Sequence, residues 1–158
     1  MIKREGTAAM KKSGCPVTKL STVLIAVDNS AHSKKALNEA FNLAKSCSSR
    51  IHVLSVVEAN EEFESFAPEA VEKMGMAVKK LLDAVSKRAK KENIKCSLIS
   101  HTGDDPAQFI VKEAIKLKAD LIIMGKHGTR KSLTKFVMGS VTAKVLSHAP
   151  CNVLVIVK

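Results

Sequence analysis

Two hydrophobic periods alternate along this chain. Near-continuous aliphatic runs recur at 22–27 (TVLIAV), 50–57 (RIHVLSVV), 121–124 (LIIM) and 152–157 (NVLVIV). A more polar stretch at 94–101 completes a set of five predicted strands. Uninterrupted apolar strands suit a parallel sheet covered on both faces. Between the strands the period becomes helical. Ala36, Leu37, Ala40, Phe41, Ala44 and Cys47 share one face of a helix expected over 31–46, with Ser30 as its N-cap. After an acidic turn at 58–62, a long helix is predicted over 68–92. Its buried stripe is Val71, Met74, Val78, Leu81, Leu82, Val85 and Ala89. A third helix runs to residue 118, with Asp105 as N-cap and Pro106 at its first position. A short fourth helix is expected over 139–147, with Val141, Val145 and Leu146 inward.

Strands separated by helices imply parallel pairing through right-handed crossovers. The fold class is therefore α/β, an open doubly wound sheet with helices on both faces. Residues 1–19 stand apart: glycines, Pro16 and several lysines with little periodicity predict a basic arm before the domain at 20–158.

Composition narrows the partners. A chain of 158 residues suits one domain with a full core. Trp and Tyr are absent and Phe occurs five times, so the core must be aliphatic. The net charge of +11 would attract polyanions. The lysines are spread out, however, and the aromatic platform of single-strand binders is missing, which argues against a nucleic-acid partner. Cys15, Cys47, Cys96 and Cys151 form no C-x-x-C pair, and the histidines show no zinc spacing. Reduced, partly buried thiols in a cytoplasmic protein are expected. No 18-residue apolar run suggests a membrane span, and no signal-peptide core is recognised.

The chemistry concentrates at 119–145. A buried strand leads into a loop marked by Gly125 and Gly128, and Gly139-Ser140 opens a helix. Glycines allow close backbone approach, and a helix N-terminus offers unpaired N–H groups. Asp28 ends the first strand as Gly125 ends the fourth. If those strands are neighbours, both project into one crevice at the carboxyl edge of the sheet. His127, Arg130 and Lys131 are candidate phosphate contacts in the loop. Ser140 reads as a hydroxyl donor rather than a nucleophile, having no evident His–Asp pair. The P-loop, dinucleotide and nucleophile-elbow motifs are absent.

These residues resemble the universal stress protein family. The matching features are Val27-Asp28-x-Ser30, Gly103 with Pro106-Ala107, ADLIIMG at 119–125, Gly139-Ser140-Val141, and PCNVLV at 150–155. The resemblance spans 19–158. It implies a five-stranded parallel sheet in the order 3-2-1-4-5 and a homodimer, the latter in keeping with the apolar final strand, Val153, Leu154, Val155, Ile156 and Val157. It also implies ATP binding. Ala26 and Val56 would meet adenine, and Asp28 the ribose or a phosphate-bound Mg²⁺. Gly125 and Gly128 would approach ribose and phosphate. Gly139, Ser140 and Val141 would bind phosphates. Ten residues separate Gly128 from Gly139, one more than the family's ATP-binding pattern has. A nucleotide-dependent stress-response module is expected; a slow ATPase or phosphotransferase, or a nucleotide-free dimer, are the alternatives.

Overall fold

The computed structural model describes residue 15, residues 20–129 and residues 137–157. The elements follow in the order β1 (Thr22–Ala26), α1 (Ala31–Cys47), β2 (Arg50–Glu58), α2 (Glu61–Phe66), α3 (Pro68–Lys91), β3 (Cys96–Gly103), α4 (Pro106–Leu117), β4 (Leu121–Gly125), α5 (Ser140–His148) and β5 (Asn152–Ile156). All five strands pair in parallel in the order β3-β2-β1-β4-β5. The expected doubly wound sheet is present.

Alternate residues of each central strand feed opposite cores. Val23, Ile25, Val53 and Ile123 pack beneath α1 and α3, around Phe41, Leu82 and Val85. Leu24, Leu54, Ile122 and Met124 face Ile110, Ala114 and Val145 of α4 and α5. Two covered faces explain why the central strands read as continuous apolar runs. β3 is an edge strand, and its outward positions Ser97, Ser100 and Thr102 are exposed, which explains its polar sequence.

The helix ends follow their local chemistry. Ser30 Oγ accepts from Ser33 N at 3.1 Å and caps α1. The stretch expected as an acidic turn instead leads into α2, capped by Asn60, whose Oδ1 accepts from Phe63 N at 2.7 Å. That helix buries no residue, so it carries no periodic signal. Pro106 does open α4, but Asp105 makes no side-chain cap. Its carboxylate accepts from Lys144 Nζ at 3.2 Å instead. At the far end of α3, Arg88 lies 4.4 Å over the Phe41 ring and donates to Glu92 at 2.7 Å. Arg88 is thus packed against α1.

The cysteine expectation needs correction. Cys15 and Cys47 form a disulfide across 32 positions, while Cys96 and Cys151 are free. Cys47 ends α1, and residue 15 passes close enough to bring the two Cα atoms to 4.5 Å. Such a contact is made by tertiary structure and leaves no local spacing motif. Otherwise the arm predicted at 1–19 lies outside the described residues. Among the described residues no helix is long and apolar enough to cross a membrane.

Candidate functional site

β1 and β4 are neighbours, with Ile25 opposite Ile123. The sheet order reverses direction between them, so their carboxyl ends open a crevice. A cleft of about 740 Å³ occupies it. Its lining includes Ala26, Asp28, Val56, Gly125, His127, Gly128, Gly139, Ser140 and Val141, so these sequence-predicted positions are brought together. Arg130 and Lys131 lie outside the described residues.

Asp28 organises the polar end. Its N–H donates to Ser33 Oγ at 2.9 Å. Its Oδ1 accepts from Ser30 N at 2.9 Å, and its Oδ2 accepts from Thr129 N at 3.0 Å. The carboxylate therefore fastens the loop after β4 to the end of β1. The glycines are required by space rather than by dihedral angle, since no described glycine has positive φ. A Cβ at Gly125 would stand 2.7 Å from His32 Cβ, and one at Gly139 would stand 3.1 Å from Lys126 O.

The start of α5 is pinned beneath this loop. Gly139 N donates to Lys126 O at 3.0 Å, and Thr142 Oγ1 donates to Gly125 O at 3.0 Å. The first intrahelical bond runs from Ala143 N to Gly139 O. Gly139 is the N-cap and supplies no side chain to cap the helix. The N–H groups of the first turn therefore lack a side-chain cap where α5 borders the cleft, a local positive potential. His127 sits edge-on to His32, with ring centroids 5.4 Å apart. Its Nδ1 is buried without a hydrogen-bond partner. Burial, then the charges of Lys126 and His32, hold its pKa below the ordinary imidazole value.

The opposite wall is apolar. Met74, Val78 and Leu81 of α3, on one side of the sheet edge, and Ile110 of α4 with Ala26 and Val56, on the other, line it together. Sequence periodicity reads Met74, Val78 and Leu81 as buried core. The structure leaves them half-buried because the amino-terminal half of α3 overhangs the cleft. The available signal is length: α3 has 24 residues, while its buried positions begin only at Leu82. Thr142, which tethers the loop, carries no sequence signal beyond following Gly139-Ser140. Among the described residues no group of three His, Cys, Asp or Glu side chains could hold a metal ion. Asp28 and Glu58 are the carboxylates that line the cleft among the described residues.

A doubly wound sheet with a glycine-lined crevice and an uncapped helix start at the switch point defines an open α/β protein with a cleft at the carboxyl edge of its sheet. The chain belongs to the universal stress protein family: the family model matches residues 19–157. It is 29% identical over 137 residues to a Staphylococcus aureus (strain USA300) protein named as a universal stress protein, covering 85% of this chain and 82% of that one. The structure of the universal stress protein UspA from Lactobacillus plantarum matches with a TM-score of 0.74 at 27% identity, over 89% of this chain and 99% of that one. A universal stress protein family structure from Arabidopsis thaliana with AMP bound shares the fold, with a TM-score of 0.60 at 20% identity, over 86% and 90% of the two chains.

Proposed function

We propose that the cleft binds ATP and that the protein is a nucleotide-dependent stress-response module. The observation that carries this reading is the uncapped start of α5 beside the Gly125–Gly128 backbone, at the crevice closed by Asp28. N–H groups at a helix N-terminus favour phosphate. The apolar slot between Ala26, Val56, Met74 and Val78 suits a planar base. Adenine would lie there, its edge read by backbone groups at Val56. The ribose would meet Asp28, with Gly125 and Gly128 letting the backbone come close. The phosphates would take the N–H groups of Ser140 and Val141, the backbone at Gly139 and the Ser140 hydroxyl. His127 stands beside the phosphate end, and Arg130 and Lys131 would add charge. Mg²⁺ would rest mainly on phosphate oxygens, with Asp28 as the protein carboxylate. The fold's capacity to hold AMP in the Arabidopsis thaliana protein is in keeping with this reading.

The test is mass analysis of nucleotide released from the denatured protein, joined to thermal shift with Mg-ATP. The native chain should carry adenine nucleotide or gain stability with it, and Gly139→Val should do neither while remaining folded. A native chain with no released nucleotide and no shift refutes the proposal.

A further inference from the structure

The other end of the sheet holds a second, cationic groove of about 530 Å³. It lies among the starts of β1 and β2 and the ends of α1 and α4, and its charged walls are Arg50, Lys95 and Lys116. No carboxylate lines it. The register places Ile51 opposite Cys96, so Arg50 and Lys95 stand side by side on neighbouring strands. Like charges directly opposite each other destabilise a sheet. Alternation directs Arg50 and Lys95 to the same face as His52 and Ser97, whose Nδ1 and Oγ are 2.6 Å apart.

Two carboxylates lie nearby, each with one oxygen engaged, while Glu113 Oε2 is buried without a hydrogen-bond partner. Glu113 Oε1 lies 3.3 Å from Lys116 Nζ and 3.1 Å from His101 Nε2. Asp120 Oδ2 accepts from Ser21 N and Thr22 N at 2.8 and 2.9 Å. Lys116 thus has a structural role, paired with Glu113 and set in the last turn of α4. Arg50 and Lys95 have none. They sit outside the helices, and among the described residues neither side chain has an ion-pair partner. Burial, and then the Arg50 charge, push the His52 pKa down, with the Glu113 carboxylate acting in the opposite sense.

We propose that this groove is a second ligand site, for a compact oligophosphate anion clamped by Arg50, Lys95 and Lys116. A guanidinium beside two ammonium groups matches phosphate oxygens, and the Thr22 and Ser48 hydroxyls at the groove supply neutral donors. No Phe, Tyr or Trp lines the groove, and its one ring, His52, is tied to Ser97 Oγ at 2.6 Å, which favours a bare phosphate chain over single-stranded nucleic acid. The site is independent of the nucleotide cleft, which opens at the opposite ends of the strands.

The test is calorimetric titration of inorganic tripolyphosphate into the full chain at low salt, without divalent cations. The double variant Arg50→Gln/Lys95→Gln should weaken binding about tenfold or more. Lys79→Gln/Lys80→Gln, exposed on α3 and equal in charge change, should weaken it less than about twofold. The Arg50/Lys95 variant should unfold at the same temperature or higher, because a repulsion has been removed. A lower unfolding temperature would make the pair structural and overturn the assignment. So would equal losses in both double variants, or binding abolished by Gly139→Val and untouched by Arg50→Gln/Lys95→Gln. A single-stranded DNA that binds more tightly than tripolyphosphate, through the same two residues, would overturn the ligand class.

Discussion

Gly128 exists to make room for Asp28: a Cβ on Gly128 would stand 2.8 Å from Asp28 Oδ2. The same oxygen accepts from Thr129 N at 3.0 Å, joining two loops 101 positions apart. Gly128→Ala must therefore push the carboxylate away or lift the loop. Overpacking of this kind costs about 1–3 kcal/mol. Denaturant unfolding should show a loss in that range, and Mg-ATP should no longer shift the melting curve. An unchanged melting curve and an unchanged ATP response would show that the Asp28 clamp is dispensable.

That clamp also marks how far the sequence could be read. Asp28 and Gly125 were legible because strand ends and parallel pairing follow from hydrophobic period and connectivity. The reason for Gly128 was not, since a side-chain oxygen 100 positions away has no local signature. α2 escaped notice because a helix that buries nothing has no periodic face. Met74 and Val78 have the right period for core, yet period cannot tell whether a neighbouring element covers them or a cleft does. Asp105 has cap chemistry, but Lys144 competes for its carboxylate. In each case a tertiary partner decided between two locally acceptable states.

β5 should be the dimer interface. It pairs with β4 on one side and ends the sheet on the other. An uncovered apolar edge strand invites pairing with a second copy. Val155 packs against the core below α4 and α5, so changing it would disturb the fold itself. Leu154 is 37% exposed and gives the cleaner probe. Leu154→Lys should convert a sedimenting dimer to monomer with its circular dichroism unchanged. A native chain that sediments as a monomer, or a variant that remains dimeric, would remove β5 from the interface.

The Cys15–Cys47 bond should be countable. Protein denatured without reductant should titrate two thiols, those of Cys96 and Cys151, and four after reduction. Closing a loop of this length restricts the unfolded chain, so reduction should lower stability by about 3–4 kcal/mol. Cys15→Ser should reproduce that loss and make stability insensitive to reductant. Four reactive thiols in protein never exposed to reductant would contradict the pairing.

Glu92 should tie stability to pH at the far end of α3. Hydrogen bonds from Lys45 and then Arg88, both at 2.7 Å, hold its carboxyl below the ordinary glutamate value. A depressed folded-state pKa means that the unfolded chain takes up the proton first as pH falls. The contribution is therefore present above the unfolded pKa and is lost as pH drops through the folded one. Glu92→Gln should be less stable than the native chain at neutral pH, and the two stability curves should converge as pH falls below the ordinary glutamate range. The same substitution removes one partner of Arg88, whose guanidinium still lies over the Phe41 ring and donates to Asn38 Oδ1 at 2.5 Å. The difference at neutral pH should shrink in high salt, because Lys45 is exposed and its half of the network is screened. Parallel pH curves for the two proteins would mean that Glu92 titrates alike in the folded and unfolded chains, and that the α1–α3 contact at this end rests on Phe41, Arg88 and Asn38 without it.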